Sequence, residues 1–221
     1  DVVMEYFGHP FSSYTWKGEI ALIEKGAAYQ FRNVDPSEPD NGAVLAAHSP
    51  SGKFPILIDG DRTLFESSII IEYVDQKFPH APALIPHDSE AALKVRLMDR
   101  MFDNHVMGNA QAIVAEHLPF ITATPDQNRI ARARQELLKI YDWLETVLPP
   151  GGWACGNEFS MADCAAAPSL FYADWVQEIP QSLTMLRAYR AQLLARPSVA
   201  RCVEAARPYR HYFPLGAPDR D

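Results

Sequence analysis

The sequence predicts a mixed α/β region followed by an all-helical one. Three observations carry this: strand and helix signals alternate over residues 1–80, strand signals vanish from Ser89 onward, and a proline-rich stretch lies between the two regimes. The three prolines of Pro79-His80-Ala81-Pro82-Ala83-Leu84-Ile85-Pro86 suit a stiff connector. The expected division is a front domain over 1–80, a linker over 81–88 and a helical domain over 89–221.

The apolar run Val2 to Phe7 reads as a first strand. Trp16, Ile20 and Ile23 then recur at helical spacing until Lys25-Gly26 stops the helix. Tyr29, Phe31 and Asn33 alternate with Ala28, Gln30 and Arg32 as a half-buried strand does, and Asp35 to Gly42 reads as a polar loop. A short helical piece over Val44–Ala47 precedes Ser49-Pro50-Ser51-Gly52. The apolar runs Ile56-Leu57-Ile58 and Thr63-Leu64-Phe65 flank Asp59-Gly60-Asp61-Arg62, a hairpin signal. Ser67 to Lys77 is helical, with Ile70, Ile71 and Val74 inward and Pro79 ending it.

In the second regime, Leu93, Leu97, Met101 and Val106 mark one long helix from Ser89. Ile130 to Leu148 marks another, with Leu137, Ile140, Tyr141 and Leu144 on one face. Pro149-Pro150-Gly151-Gly152 breaks the pattern. Ser160-Met161-Ala162-Asp163 then opens an apolar helix with a capping box in which Asp replaces the usual Glu.

Composition bounds the function classes. Of 221 residues, 48% are apolar and 22% charged, which fits a globular chain and is too apolar for disorder. No run approaches the roughly 18 apolar residues of a membrane helix. The N-terminus has no basic start followed by a hydrophobic stretch, so a cytoplasmic location is expected. The net charge of −8 argues against nucleic acid as a partner. Residues 1–80 carry six Lys and Arg against twelve Asp and Glu, so an anion bound there depends on local donors rather than on the overall field. Cys155, Cys164 and Cys202 form no CxxC pair, and the seven histidines lack ligand spacing; no metal is assigned.

The most informative segment is Pro10-Phe11-Ser12-Ser13-Tyr14-Thr15-Trp16-Lys17. It places two adjacent hydroxyls where a strand gives way to a helix, the position at which an anion gains from free backbone N–H groups and the helix dipole. The alternative is that Ser12 or Ser13 simply caps the helix.

Three motifs, in this order and spacing, resemble the cytosolic glutathione transferases, and the resemblance covers essentially the whole chain. Ser12 to Lys17 is similar to the serine motif of the zeta class. Lys53-Phe54-Pro55-Ile56-Leu57 followed by Leu64 to Tyr73 is similar to the glutathione-binding segment, closest in wording to the tau class. Gly156 to Asp163 resembles the capping box of the helical domain. The resemblance implies a thioredoxin-like front domain, an all-helical domain contributing an electrophile pocket, glutathione as co-substrate, a small hydrophobic electrophile, detoxification as the role, and a homodimer with no nucleic-acid or membrane partner.

It also implies residue roles. Ser12 would donate a hydrogen bond to the glutathione sulfur, with Ser13 as helper and Tyr6 as the second-ranked donor. A thiol titrates near ~8.5, and lowering it by about two units requires about 2.7 kcal/mol of thiolate stabilisation. One hydroxyl donated to a charged acceptor supplies about 1.5–3 kcal/mol, and a helix N-terminus adds to it. Pro55 would be a cis-proline exposing the Phe54 backbone to the cysteinyl unit; the alternative is a trans-proline opening an edge strand. Ser67 would take the γ-glutamyl carboxylate and Glu66 its ammonium, or the pair would only cap a helix. Lys53 would meet the glycyl carboxylate or remain a surface lysine. Phe11, Tyr14, Met101, His105 and Tyr172 are candidates for the electrophile pocket, with Tyr209 to Phe213 folding over its mouth. Two departures from the zeta pattern, Tyr14 in place of Cys and Lys53 in place of Gln, weigh against its isomerase activity. The alternatives are a glutathione-dependent isomerase of the zeta type and a glutathione-fold binding protein without turnover.

Overall fold

Residues 2–221 are described here from a computed structural model. Strands β1 (Met4–Gly8), β2 (Tyr29–Asn33), β3 (Ile56–Asp59) and β4 (Arg62–Phe65) form one sheet in the order β2-β1-β3-β4. β1 pairs parallel with β2 and antiparallel with β3, which pairs antiparallel with β4. The parallel pair needs a crossover, and helix α1 (Ser13–Glu24) supplies it. β3 and β4 join through Gly60-Asp61, where the positive φ of Gly60 permits the tight turn.

Helix α1 ends where the sequence predicts, for a readable reason. Gly26 takes φ +64°, its N–H bonds to the Ile23 carbonyl and the Ala27 N–H bonds to the Leu22 carbonyl, each at 3.0 Å. This is a Schellman stop, which a residue with a side chain adopts only under strain. Gly18 answers a different demand. The Tyr6 hydroxyl donates to the Thr15 carbonyl at 2.7 Å inside the core, and a Cβ on Gly18 would lie 2.3 Å from that oxygen. Tyr6 is thus directed into α1, away from any ligand, and its role as second-ranked thiol donor falls.

Met4, Tyr6, Leu22 and Leu57 pack with Ile70 and Val74 of α3 (Ser67–Lys77) on one face of the sheet. Phe7, Ile56 and Leu45 of α2 (Pro39–His48) close the other. The loop expected over Asp35 to Gly42 is shorter in the structure, because Pro39 pre-sets φ and starts α2 there.

The remainder is helical: α4 (Ser89–Arg100), a π-helical stretch (Met101–Met107), α5 (Gly108–Glu116), α6 (Gln127–Val147), α7 (Met161–Val176), α8 (Thr184–Ala195), α9 (Pro197–Ala206) and a final 3-10 turn (Arg207–Tyr212). All sixteen residues of α7 are buried, so it is the axis on which α1, α4 and the π-helical stretch pack. Its N-terminus carries the predicted box: Ser160 Oγ accepts the Ala162 N–H at 3.2 Å, and Asp163 Oδ2 accepts the Ser160 N–H at 2.9 Å. Asp163 Oδ1 also takes the Ala154 N–H and the Tyr189 hydroxyl.

The helix from Ser89 departs from expectation in two ways. Its inward face is Ala92, Val95, Met98, Phe102 and Val106, while Leu93 and Leu97 are 62% and 56% exposed. It also widens into π geometry at Met101 rather than running on as one α-helix. A Leu-rich spacing of four matched two faces equally well, and tertiary packing chose the other.

Asp163→Ala leaves two amide groups and a hydroxyl unpaired in the core, so we expect a loss of about 3 kcal/mol or more in urea unfolding. Glu19, on α1, has its carboxyl pushed up to about 7 by burial, with Arg201 and the Tyr29 hydroxyl nearby only partly offsetting this. Its folded pKa exceeds the unfolded one, so stability is lost as pH rises from about 4.5 through 7. Glu19→Gln is expected to raise stability by about 2 kcal/mol at pH 8 and to leave it little changed at pH 4, measured by thermal melts at both pH values.

Candidate functional site

Phe7 pairs with Ile56, so the loop that follows β1 and the segment that precedes β3 meet at one end of the sheet. The Phe54-Pro55 peptide bond is cis. The loop before it is held by its own serines: Ser49 Oγ donates to the Lys53 carbonyl at 2.8 Å, and the Lys53 N–H donates to Ser51 Oγ at 3.3 Å. The Lys53 side chain remains exposed.

The start of α3 is conformationally unusual. Glu66 has φ +70°, the one positive value at a non-glycine position among the described residues, and its side chain caps nothing. Such a conformation costs about 1–3 kcal/mol and persists where the surroundings impose it, often beside a ligand site. The first intrahelical bond runs from the Ile70 N–H to the Glu66 carbonyl at 2.9 Å, so the amides ahead of it are free to meet an anion.

These two features border one cavity of about 510 Å³. The front region contributes Tyr14, Lys53, Phe54, Pro55, Glu66 and Ser67 to its wall. Arg100, Asp103, Asn104 and Gln111 of the helical region face them. The sequence reading missed these four: Arg100, Asp103 and Asn104 sit on or beside the π-helical stretch and Gln111 on α5, and polar residues on a solvent-facing turn give no signal of their own. Burial, with the Asp103 and Glu66 carboxylates nearby, pushes the Tyr14 phenol up to about 12, so at neutral pH it is a neutral donor. Its hydroxyl is 3.4 Å from the Asp103 carbonyl.

Ser12 and Ser13 lie at the start of α1 but are not among the residues lining this cavity. Ser12 is the N-cap, and its Oγ accepts the Thr15 N–H at 3.3 Å. That bond engages a lone pair and leaves the hydroxyl proton available. Ser13 is buried. The expected electrophile pocket is not assembled as the sequence suggested. Phe11 packs edge-on to Tyr172 at 5.3 Å and its carbonyl accepts the Tyr172 hydroxyl at 2.6 Å, so the two residues satisfy each other. Met101 is half-buried, His105 points to solvent, and neither lines the cavity. Tyr209 and Tyr212 reach the β1–α1 loop, where both rings stack near His9.

Behind the cavity wall sits a buried ion cluster. Lys17 is fully buried; its Nζ lies 2.6 Å from Asp103 Oδ2, 2.7 Å from Asp99 Oδ1 and 2.7 Å from Ser68 Oγ. Ser68 in turn donates to Asp99 Oδ2 at 2.7 Å. Ser68 Oγ and Asp103 Oδ2 accept hydrogen bonds from the ammonium, and Asp99 adds an ion pair through Oδ1. Burial raises the Asp103 carboxyl although Lys17 counters it. Neither wall nor cluster includes a cysteine. Burial pushes the Cys155 thiol up to about 11 and raises Cys164 and Cys202 further from their ionised state.

A mixed four-stranded sheet flanked by helices, with a cis-proline at the head of β3 beside the cavity, followed by a helical bundle built around one wholly buried helix, defines a thioredoxin-like domain joined to an all-helical one. Residues 7–91 match the glutathione S-transferase N-terminal domain and residues 127–192 the corresponding C-terminal domain. The chain belongs to the glutathione S-transferase family. It is 30% identical over 216 residues to a stringent starvation protein A homolog of Pasteurella multocida, covering 93% of this chain and 92% of that protein. It is 29% identical over 177 residues to glutathione S-transferase 3 of Zea mays, covering 76% and 78%. Among solved structures, a glutathione S-transferase of Methylobacillus flagellatus with glutathione bound superposes with a TM-score of 0.79 at 27% identity, covering 90% of this chain and 98% of that one.

Lys17→Met would remove the cation of Asp103 and leave Asp99 with only Arg100, 3.0 Å away, and the Ser68 hydroxyl. We expect a loss of about 3–5 kcal/mol in denaturant unfolding, with Lys17→Arg recovering much of it.

Proposed function

We propose that this protein is a glutathione transferase in which Ser12 stabilises the glutathione thiolate for attack on a small, hydrophobic electrophile. The observation that supports this most is the charge pattern around the cavity. Glutathione carries two carboxylates and one ammonium, and the wall offers Lys53 and Arg100 as cations, free amides at the start of α3, and Glu66 as an anion. The volume falls within the range of about 300–1,000 Å³ usual for small-molecule sites. In this reading Lys53 meets the glycyl carboxylate, the Phe54 backbone beside Pro55 pairs with the cysteinyl unit, Ser67 takes the γ-glutamyl carboxylate and Glu66 its ammonium.

The thiol proton leaves to solvent, and the Ser12 hydroxyl, already oriented by the Thr15 N–H, donates to the sulfur anion. Ser13 supports it from the first turn of α1, whose N-terminal dipole also favours the anion. The sulfur then forms a bond to the electrophilic carbon, and the leaving group departs with its electron pair. The domain division at 1–80, 81–88 and 89–221, a cytoplasmic setting and a detoxifying role go with this reading. So does a homodimer: exposed Phe65 and Ile69 near the start of α3, and Leu93 and Leu97 on α4, give those elements apolar surface for a second copy.

A second reading has one observation in its favour. Because Phe11 and Tyr172 occupy each other, the region beside Ser12 that an electrophile would enter is filled. A protein that binds glutathione without turning it over fits that packing. The two separate cleanly on Ser12→Ala. The transferase reading expects the thiol pKa of bound glutathione to rise by about one to two units, and turnover with an activated chloronitrobenzene to fall at least about tenfold, while glutathione KM changes less than about threefold. Retention on immobilised glutathione with no turnover in the unsubstituted protein supports the second reading instead.

A further inference from the structure

We propose that His9 is a positioning residue: its neutral imidazole locks the loop that presents Ser12, and protonation releases that lock. The loop His9–Ser12 connects β1 to α1, and His9 ties it at four points. Its own N–H donates to Thr15 Oγ1 at 3.2 Å, and its carbonyl accepts the Ser12 N–H at 3.0 Å. Its Nδ1 lies 3.0 Å from the Phe11 amide nitrogen, and its Nε2 lies 3.5 Å from Asp35 Oδ2. An amide N–H can only donate, so Nδ1 must be the acceptor and Nε2 carries the proton toward Asp35.

The side chain is 12% exposed and is covered by Tyr209 at 4.6 Å and Tyr212 at 5.9 Å, both from the 3-10 turn after α9. The groups facing it are therefore the Asp35 carboxylate after β2, the Thr15 hydroxyl on α1 and these two phenol rings, with His211 stacked on Tyr212 at 4.4 Å. Protonation would put a second donor at Nδ1, opposite the Phe11 N–H. The hydrogen bond is lost and two donors confront each other. Burial lowers the His9 pKa from its ordinary value, with Asp35 opposing, so the neutral form is the one the fold selects. The sign follows: the lock is complete above about 6.5 and is lost as pH falls through the lower folded value.

Only the catalytic consequence rests on the Ser12 reading; the loop geometry does not. Two substitutions separate the imidazole's two nitrogens. His9→Asn keeps an acceptor near the place of Nδ1 and does not titrate, whereas His9→Gln places its amide near Nε2 and removes that acceptor. Amide hydrogen exchange at Phe11 and Ser12 is expected to be about tenfold faster in His9→Gln than in the unsubstituted protein, with His9→Asn close to the latter. The Phe11 amide resonance of the unsubstituted protein should shift in one transition below pH 6.5, and His9→Asn should lack it. Glutathione-dependent turnover should fall about tenfold in His9→Gln with KM within about threefold, and in His9→Asn should lose its steep acid limb. Unchanged exchange in His9→Gln, a missing acid transition at Phe11, or a loosened loop with unchanged turnover overturns the proposal. A loosened, inactive His9→Gln beside a fully active Ser12→Ala upholds the lock and removes the Ser12 role instead.

Discussion

The two halves of this molecule meet around one ammonium group. Lys17 lies on α1, Ser68 on α3, Asp99 at the end of α4 and Asp103 on the π-helical stretch, and the Lys17 Nζ touches all three partners. A charge buried to this depth is tolerated only with compensating charge and hydrogen bonds close by, so the four residues fix one another's positions. Ser68 and Asp103 are also part of the cavity wall. The orientation of the helical region against the sheet, and the placement of the wall it contributes, therefore follow from the same interaction. A second link, the paired contact of Arg196 with Glu24 at 2.7 Å for both nitrogens, restrains the opposite end of α1.

With α1 held at both ends, the geometry of the sheet does the rest. Antiparallel pairing of β1 with β3 brings the loop before α1 and the cis-proline before β3 to one end of the sheet, and β4 delivers Glu66 to the start of α3. Backbone groups, free because of where elements begin, make up much of the candidate site. This explains how a chain of net charge −8 can offer a place for an anionic peptide: the donors are amides and two cations at short range, and the overall field plays no part.

Much of this was legible in the sequence because the signals were local. Gly26, the Gly60 turn, the Ser160 box and the Ile70-Ile71-Val74 stripe each act through neighbours within a few residues, and the structure keeps them where the pattern put them. The failures have a common cause in packing between distant elements. Leu93 and Leu97 matched a helical stripe, but α7 lies against the other side of α4. The wall residues Arg100, Asp103, Asn104 and Gln111 acquire meaning only once the π-helical stretch and α5 bring them opposite Glu66 and Ser67. Phe11 and Tyr172 are 161 residues apart, and no spacing rule could pair them.

The three cysteines, all raised by burial and none of them lining the cavity, give the protein an asymmetry toward sulfur chemistry. Oxidants and alkylating agents act on thiolates, and here burial favours the protonated form of each thiol. Any reactive sulfur at the cavity has to arrive with a visitor. Such a chain keeps its own thiols apart from chemistry done on a sulfur brought to the cavity.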